Sequence, residues 1–297
     1  MSRPIVLYAY NRPNYFEQVL RSLQAQTKET EVFLFNDGPR NSAEDKNNVT
    51  QSVGLFKKYF PNSTAFASDI NLGVAFNQKR GREFIFDRAE SAIFIEDDIV
   101  LNDYYIKQLN ILMDKFESDP DIAMVSCFGE IHRHRKAFGY CNHLVENKNN
   151  INSIQEQDLN KNQFMQMEHL WAYGFFKRAY QKIYKDMEGY YNLLPEQYDK
   201  RPNDLIHQYC RNLGVNKVVS SQDSVLSGLL VKNGFIKVST FTMNAKYIGK
   251  EGVHSNIKHY NRNWKKYPVY HNFIQDFHWD NDVKNSIKKF CQYQFLG

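Results

Sequence analysis

The sequence predicts an α/β fold, in which a mixed, mostly parallel sheet is flanked by helices. Three observations carry this expectation. Over the first ~130 residues, short apolar runs alternate with segments of helical spacing, the pattern of repeated strand–helix–strand units. The polar clusters Asn11-Arg12, Asn36-Asp37-Gly38 and Glu96-Asp97-Asp98 each close one of those apolar runs. Ligands of parallel sheets bind outside the carboxyl ends of the strands, so the same clusters mark the expected site.

The elements follow in order. Residues 5–10 form a short apolar run closed by Asn11-Arg12-Pro13, and Phe16, Val19, Leu20 and Leu23 then recur on one helical face. A second strand is expected over residues 31–35, ended by the turn-forming Asn36-Asp37-Gly38-Pro39. A polar helix over about 42–60, a short strand over 64–67 and a helix over 72–86 lead to the strongly apolar strand 91–95. Another helix over about 103–116 and a strand over 122–126 complete the regular part. Residues 130–162 are polar and rich in Asn, His and Arg, and read as a long loop over the strand-end site. Beyond them come the aromatic stretch 169–176, a helix, a tyrosine-rich connection and a helix over 221–232. The basic, aromatic tail ends in a short amphipathic helix over about 282–293. The expected organisation is one domain over 1–256, with a ligand-binding half to residue 130 and a second half from 131, followed by an extension over 257–297.

Composition narrows the classes. A chain of 297 residues buries enough apolar surface to need no disulfide or structural metal. The four cysteines, at 127, 141, 210 and 291, are widely separated, which suits reduced thiols rather than a disulfide framework or a zinc site. A net charge of +5 tolerates anionic ligands but is too mild for a nucleic-acid binder of this length. The opening apolar run is too short for a secretory leader, and no apolar stretch approaches the roughly 20 residues that span a bilayer. The expectation is therefore a cytoplasmic protein, at most peripherally attached to the inner face of a membrane.

Three consecutive carboxylates after a buried strand repel one another unless a cation neutralises them. Divalent Mn²⁺ or Mg²⁺ suits carboxylate and phosphate oxygens together. Alternation along a strand would let Glu96 and Asp98 share one side. The segment Ile93-Phe94-Ile95-Glu96-Asp97-Asp98-Ile99 resembles the D-x-D-type signature of glycosyltransferases with the GT-A fold. It is closest to the E-D-D form of N-acetylglucosaminyltransferase I and of bacterial family 2-like enzymes. Residues 5–12, Phe35-Asn36-Asp37-Gly38 and Asp69-Ile70-Asn71-Leu72-Gly73 resemble further donor-site segments of that family in the same order.

The resemblance implies a nucleotide-sugar donor held by Ala9, Asn11, Arg12, Asp37, Asn71, Gly73, Glu96 and Asp97, with Asp98 on the metal. A UDP-sugar is favoured, because uridine is the commonest base among metal-dependent relatives. Gln222-Asp223-Ser224 resembles the segment carrying the catalytic base of inverting members, which makes Asp223 the candidate base. Tyr247-Ile248-Gly249-Lys250-Glu251-Gly252-Val253-His254 resembles a late loop whose His completes the metal shell, so His254 is a candidate ligand. Trp171 lies in a segment resembling the acceptor-side aromatic stretch, and its indole suits stacking on a sugar face. The expected acceptor is a glycan or lipid-linked glycan in bacterial surface polysaccharide synthesis, and the C-terminal helix is open to packing, homodimerisation or membrane approach. Two rivals stand beside this reading. A sugar-phosphate nucleotidyltransferase would carry a glycine-rich phosphate loop after the first strand, which Tyr10-Asn11-Arg12-Pro13 lacks. A non-catalytic nucleotide-sugar or glycan-binding subunit would bind without turnover. His132 and His134 lie in a basic run without zinc-site spacing.

Overall fold

A computed structural model describes residues 2–27, 29–129, 164–251, 256–265, 269–277 and 279–297. The expected loop over 130–162, with His132 and His134, and the candidate ligand His254 lie outside these residues.

The chain opens with β1 (Ile5–Ala9), α1 (Pro13–Gln24), β2 (Val32–Asn36), α2 (Ala43–Tyr59), β3 (Thr64–Ala67), α3 (Gly73–Phe86) and β4 (Ser91–Glu96). Strand β5 (Ile99–Leu101), α4 (Tyr105–Phe116) and β6 (Ile122–Ser126) follow. Past the undescribed segment come β7 (Phe164–Gln166), β8 (Ala172–Phe176), α5 (Lys177–Tyr191), α6 (Asn203–Asn212) and α7 (Gln222–Lys232). The chain closes with β9 (Ile236–Thr240), β10 (Ala245–Tyr247), α8 (Ile257–Asn263) and α9 (Asn281–Phe295).

One eight-stranded sheet runs in the order β3-β2-β1-β4-β8-β6-β9-β7. Its first four strands pair in parallel, whereas β8 runs antiparallel between β4 and β6, and β7 antiparallel at the edge of β9. Strands β5 and β10 form a separate antiparallel pair. The expected architecture of a mixed, mostly parallel sheet between helices is present.

Right-handed crossovers then distribute the helices. Helices α1 and α2 lead outward from β1 through β2 to β3 and pack on each other, whereas α3 returns to β4 across the opposite face. Pro13 at the start of α1 supplies a preset φ, and Phe16, Val19, Leu20 and Leu23 are fully buried, as their spacing predicts. Ser42 caps α2 by accepting from the Asp45 amide at 3.0 Å, with acids in its first turn and lysines in its last. On the α3 face, α5, α7 and α9 complete the layer. Ile287 and Cys291 of α9 are fully buried there, and Lys284 ties the helix to Asp119 and Asp121 at 2.8 and 3.1 Å. Cys127 and Cys210 are buried as well, and all three described cysteines are free.

The register decides where a site can form. Ala9 pairs with Asn36 and Tyr8 with Glu96, so β1, β2 and β4 end at one level. Chain order reverses between β1, whose neighbours lead outward to β3, and β4 on its other side. That reversal opens a crevice at the carboxyl edge of the sheet.

Candidate active site

A cavity of about 1050 Å³ occupies this crevice. Every residue expected at the donor end lines it: Ala9, Asn11, Arg12, Asp37, Asn71, Gly73, Glu96, Asp97 and Asp98. Trp171 lines it as well.

The acidic triplet divides in two. Strand β4 ends at Glu96, and Asp97 and Asp98 form a turn into β5, so strand alternation lapses and the expected pairing of Glu96 with Asp98 gives way to another. Glu96 reaches α3, where Gln78 donates to its Oε1 at 3.0 Å. Asp97 and Asp98 instead flank Arg12, whose guanidinium bonds Asp97 and lies 2.8 Å from Asp98 Oδ2. Burial opposes the charge of Arg12, but Asp97 and Asp98 beside it raise its proton affinity overall. Burial lifts the Asp98 carboxyl to about 6, against the pull of Arg12 and with a push from Asp97. Glu96 is raised well above the carboxylate range by burial and by repulsion from Asp223, Asp98 and Asp97.

The residues present suit a divalent cation. Asp97 Oδ2 and Asp98 Oδ1 are buried oxygens without a hydrogen-bond partner. Two hard carboxylate oxygens, with phosphate oxygens completing the shell, are the usual environment of Mg²⁺-like ions. No group of three or more His, Cys, Asp or Glu side chains among the described residues could hold a metal unaided. Gly249 lies against this edge. A Cβ there would come within 2.5 Å of both Asp98 Oδ2 and the Tyr247 hydroxyl.

Asp37 has a different setting from a free recognition group. Its carboxylate accepts from the amides of Gly38 (2.8 Å), Leu72 (2.7 Å) and Gly73 (3.0 Å), and from Asn71 Nδ2 (3.1 Å). Helix α3 has no cap from its own preceding side chain, and Asp37 at the end of β2 satisfies its first amides instead. Gly73, at φ +75°, makes the tight entry into α3. Burial raises Asp37 despite those donors.

Asp45, also in the lining, ties the start of α2 to the loops that follow β1 and β2. It accepts from the Tyr10 hydroxyl at 2.6 Å, and from the Asn11 side-chain amide and the Arg40 backbone amide. Burial pushes the Asp45 carboxyl up, but these three donors hold it below its ordinary value. Sequence reasoning missed Asp45 because it sits in the first turn of a polar helix, where an acid is expected for dipole reasons alone.

Part of the lining is aromatic. Trp171 stacks on Tyr247 with centroids 4.5 Å apart and an interplanar angle of 18°, and packs against His169 at 4.1 Å and Trp264 at 4.9 Å. Its carbonyl also accepts from the Glu96 amide at 2.8 Å, coupling this wall to the acidic edge. His169, Tyr247, His259 and Trp264 line the cavity beside it; His169 and Tyr247 fall in segments the sequence marked, but none of the four was singled out as a site residue.

Asp223 lies in the first turn of α7 and is not among the residues lining the cavity. Neither it nor Ser221 serves as the helix cap through its side chain at the N-cap position. Asp223 Oδ1 accepts from Gln222 Nε2 at 3.2 Å, and Gln222 Nε2 also donates to Gln78 Oε1 at 2.6 Å. Gln78 bonds Glu96, so the two carboxylates communicate through two amides. Burial raises Asp223, opposed by Arg82, Gln222, Lys237 and His169.

No family model and no curated protein sequence matches the chain. Its structure is similar to a mannosyltransferase from Pyrobaculum calidifontis in complex with GDP-Man and Mn²⁺, at 12% identity and a TM-score of 0.42 over 79% of this chain and 53% of that one. It is also similar to glucosyl-3-phosphoglycerate synthase from Mycobacterium tuberculosis in complex with Mn²⁺, UDP and glucosyl-3-phosphoglycerate, at 11% identity and a TM-score of 0.42 over 84% and 73%. A third similarity is to the galactosyltransferase LgtC with donor and acceptor sugar analogs, at 12% identity and a TM-score of 0.39 over 78% and 72%. The chain spans about half the length of the first of these. The likenesses concern the arrangement of sheet and helices alone.

Proposed function

We propose that the chain is a metal-dependent glycosyltransferase of the GT-A type, taking a nucleoside diphosphate sugar, with UDP-sugars favoured. The observation that carries this reading is the acidic edge of the switch-point cavity. There Asp97 and Asp98 share Arg12, and each keeps one buried oxygen without a hydrogen-bond partner. A cation held at Asp98 would relieve the repulsion within the triplet, and Arg12 would gain phosphate oxygens of a diphosphate as further partners.

In this assignment Asp98 and His254 are the chain's ligands to Mn²⁺ or Mg²⁺, which when bound neutralises charge on the leaving diphosphate. Glu96 and Asp97 face the donor sugar and ribose. Ala9, Asn11, Asp37, Asn71 and Gly73 shape the nucleoside end, Asp37 by anchoring the loop at 71–73. Trp171 and the rings around it form a face on which an acceptor sugar stacks. Asp223 is the proposed base. A carboxylate raised by burial is a better proton acceptor, and it takes the acceptor hydroxyl proton as that oxygen attacks the anomeric carbon and the bond to the diphosphate breaks. Such a single displacement inverts the anomeric configuration. A growing surface glycan, free or lipid-linked, is the acceptor class that goes with this reading, which places the protein in the cytoplasm at the inner membrane face.

Thermal stabilisation by UDP, GDP and their sugars, with and without Mn²⁺, tests the assignment on wild type and Asp98→Ala. A ligand at a hundred times its dissociation constant stabilises by about 2.7 kcal/mol. The expected result is a shift with one nucleotide family that requires both Mn²⁺ and Asp98. Asp223→Asn should keep that shift and lose transfer to acceptor. A well-folded protein that no nucleotide stabilises would sink the reading.

A further inference from the structure

Behind the cavity lies a charge that the proposed chemistry does not use. Arg82 of α3 is 0% exposed and is among the largest fully buried side chains of the described residues. It forms no ion pair among the described residues, and its Nε and Nη1 have no hydrogen-bond partner. A buried guanidinium without a carboxylate is costly, because desolvation is not offset by a direct counter-charge. Its Nη2 donates to two acceptors, Gln78 Oε1 at 2.5 Å and the Tyr173 hydroxyl at 3.1 Å.

The first of those bonds has a directional consequence. A guanidinium has donors only, so it forces the oxygen of the Gln78 amide toward itself. Gln222 Nε2 donates to the same oxygen at 2.6 Å. The Gln78 amino group is thereby turned to Glu96 Oε1, at 3.0 Å. The Gln222 amino group is committed likewise, between Gln78 and Asp223 Oδ1. A flipped Gln78 would set its amino group against both Arg82 and Gln222, and its oxygen against Glu96. The direction of four hydrogen bonds is thus set from one buried cation.

We infer that Arg82 is a positioning residue that, through the fixed amides of Gln78 and Gln222, holds Glu96 in the orientation that receives the sugar of the donor. The inference rests on the glycosyltransferase reading and deepens it. Arg82 distinguishes the sugar from the rest of the donor. Among the described residues no side-chain hydrogen bond joins this relay to the diphosphate end at Arg12, Asp97 and Asp98.

The test compares wild type, Arg82→Met, Arg82→Lys and Gln78→Glu. Gln78→Glu is nearly isosteric: it accepts from Arg82 and Gln222 as before, gives the guanidinium a carboxylate, and cannot donate to Glu96. Dissociation constants are measured with Mn²⁺ for UDP against UDP-glucose and UDP-N-acetylglucosamine, and for GDP against GDP-mannose, alongside melting temperature. In Gln78→Glu the pairing gained with Arg82 offsets the repulsion gained against Glu96, so the melting temperature should stay near that of wild type. The ratio of nucleotide-sugar to bare-nucleotide dissociation constant should increase about tenfold, equivalent to about 1.4 kcal/mol. Arg82→Met should show the same ratio change, partly restored in Arg82→Lys. An unchanged ratio in Gln78→Glu, with nucleotide still bound, would overturn the role of Arg82 and leave the donor site standing. A parallel loss of both affinities with melting temperature in Arg82→Met, and none in Gln78→Glu, would make Arg82 purely structural. Absence of nucleotide binding in wild type would instead remove the glycosyltransferase reading, and this inference with it.

Discussion

At the scale of single residues, the acidic edge stores its information in protons. Burial lifts Asp98 from the ordinary 3.8 to about 6, so between those values the folded chain binds more protons than the unfolded one. Stability without metal should therefore fall as pH rises through about 6, since the slope follows the proton excess of the unfolded state, here negative. A divalent cation needs the deprotonated carboxylate, and its stabilising effect should grow over the same interval. Melting temperatures with and without Mn²⁺ on either side of pH 6 check both signs. Asp98→Asn should flatten both profiles, and an unaltered slope in that variant would show that the proton resides elsewhere.

At the scale of elements, Asp37 carries more than its place at the end of β2 suggests. With four donors on one carboxylate, it joins β2 to the start of α3. Asp37→Ala should cost about 2–4 kcal/mol, combining the loss of a helix cap with buried amides left unsatisfied. In urea, a lower midpoint at an unchanged slope would locate that loss in the native state. The elements around Asp37 were legible in the sequence because their signals were local: an apolar run, a closing polar cluster, then helical spacing. The bounds of β1, β2, α3 and β4 fall within a residue or so of those signals. Strand β8 was not legible. Its aromatic run Ala172–Phe176 reads equally as buried helix or strand, and only pairing with β4 and β6 decides. Gln78 and Arg82 escaped for a related reason. Periodicity marks apolar residues on a helix face, and a polar residue one turn on reads as solvent-facing until the fold closes over it.

At the scale of the whole molecule, the C-terminal helix α9 belongs to the same packed body as the N-terminal sheet. It lies against β7, β9 and α7, the Phe295 carbonyl accepts from the amides of Asn216 and Lys217, and Ile287 is fully buried. Ile287→Ala should destabilise the chain by about 2–5 kcal/mol. It should shift a single unfolding transition rather than release the tail alone, as calorimetry would show by equal calorimetric and van't Hoff enthalpies. The three buried thiols extend this point into kinetics. Burial raises all of them, Cys210 to about 11 and Cys291 to about 12, so these three hold almost no thiolate at neutral pH. Cys127 lies just past β6, Cys210 in α6 and Cys291 in α9. In a Cys141→Ser background, an alkylating reagent would then act as a stopwatch at three stations. Equal labelling rates at all three would time one cooperative opening, and an early signal from any one would name the part of the molecule that lets go first.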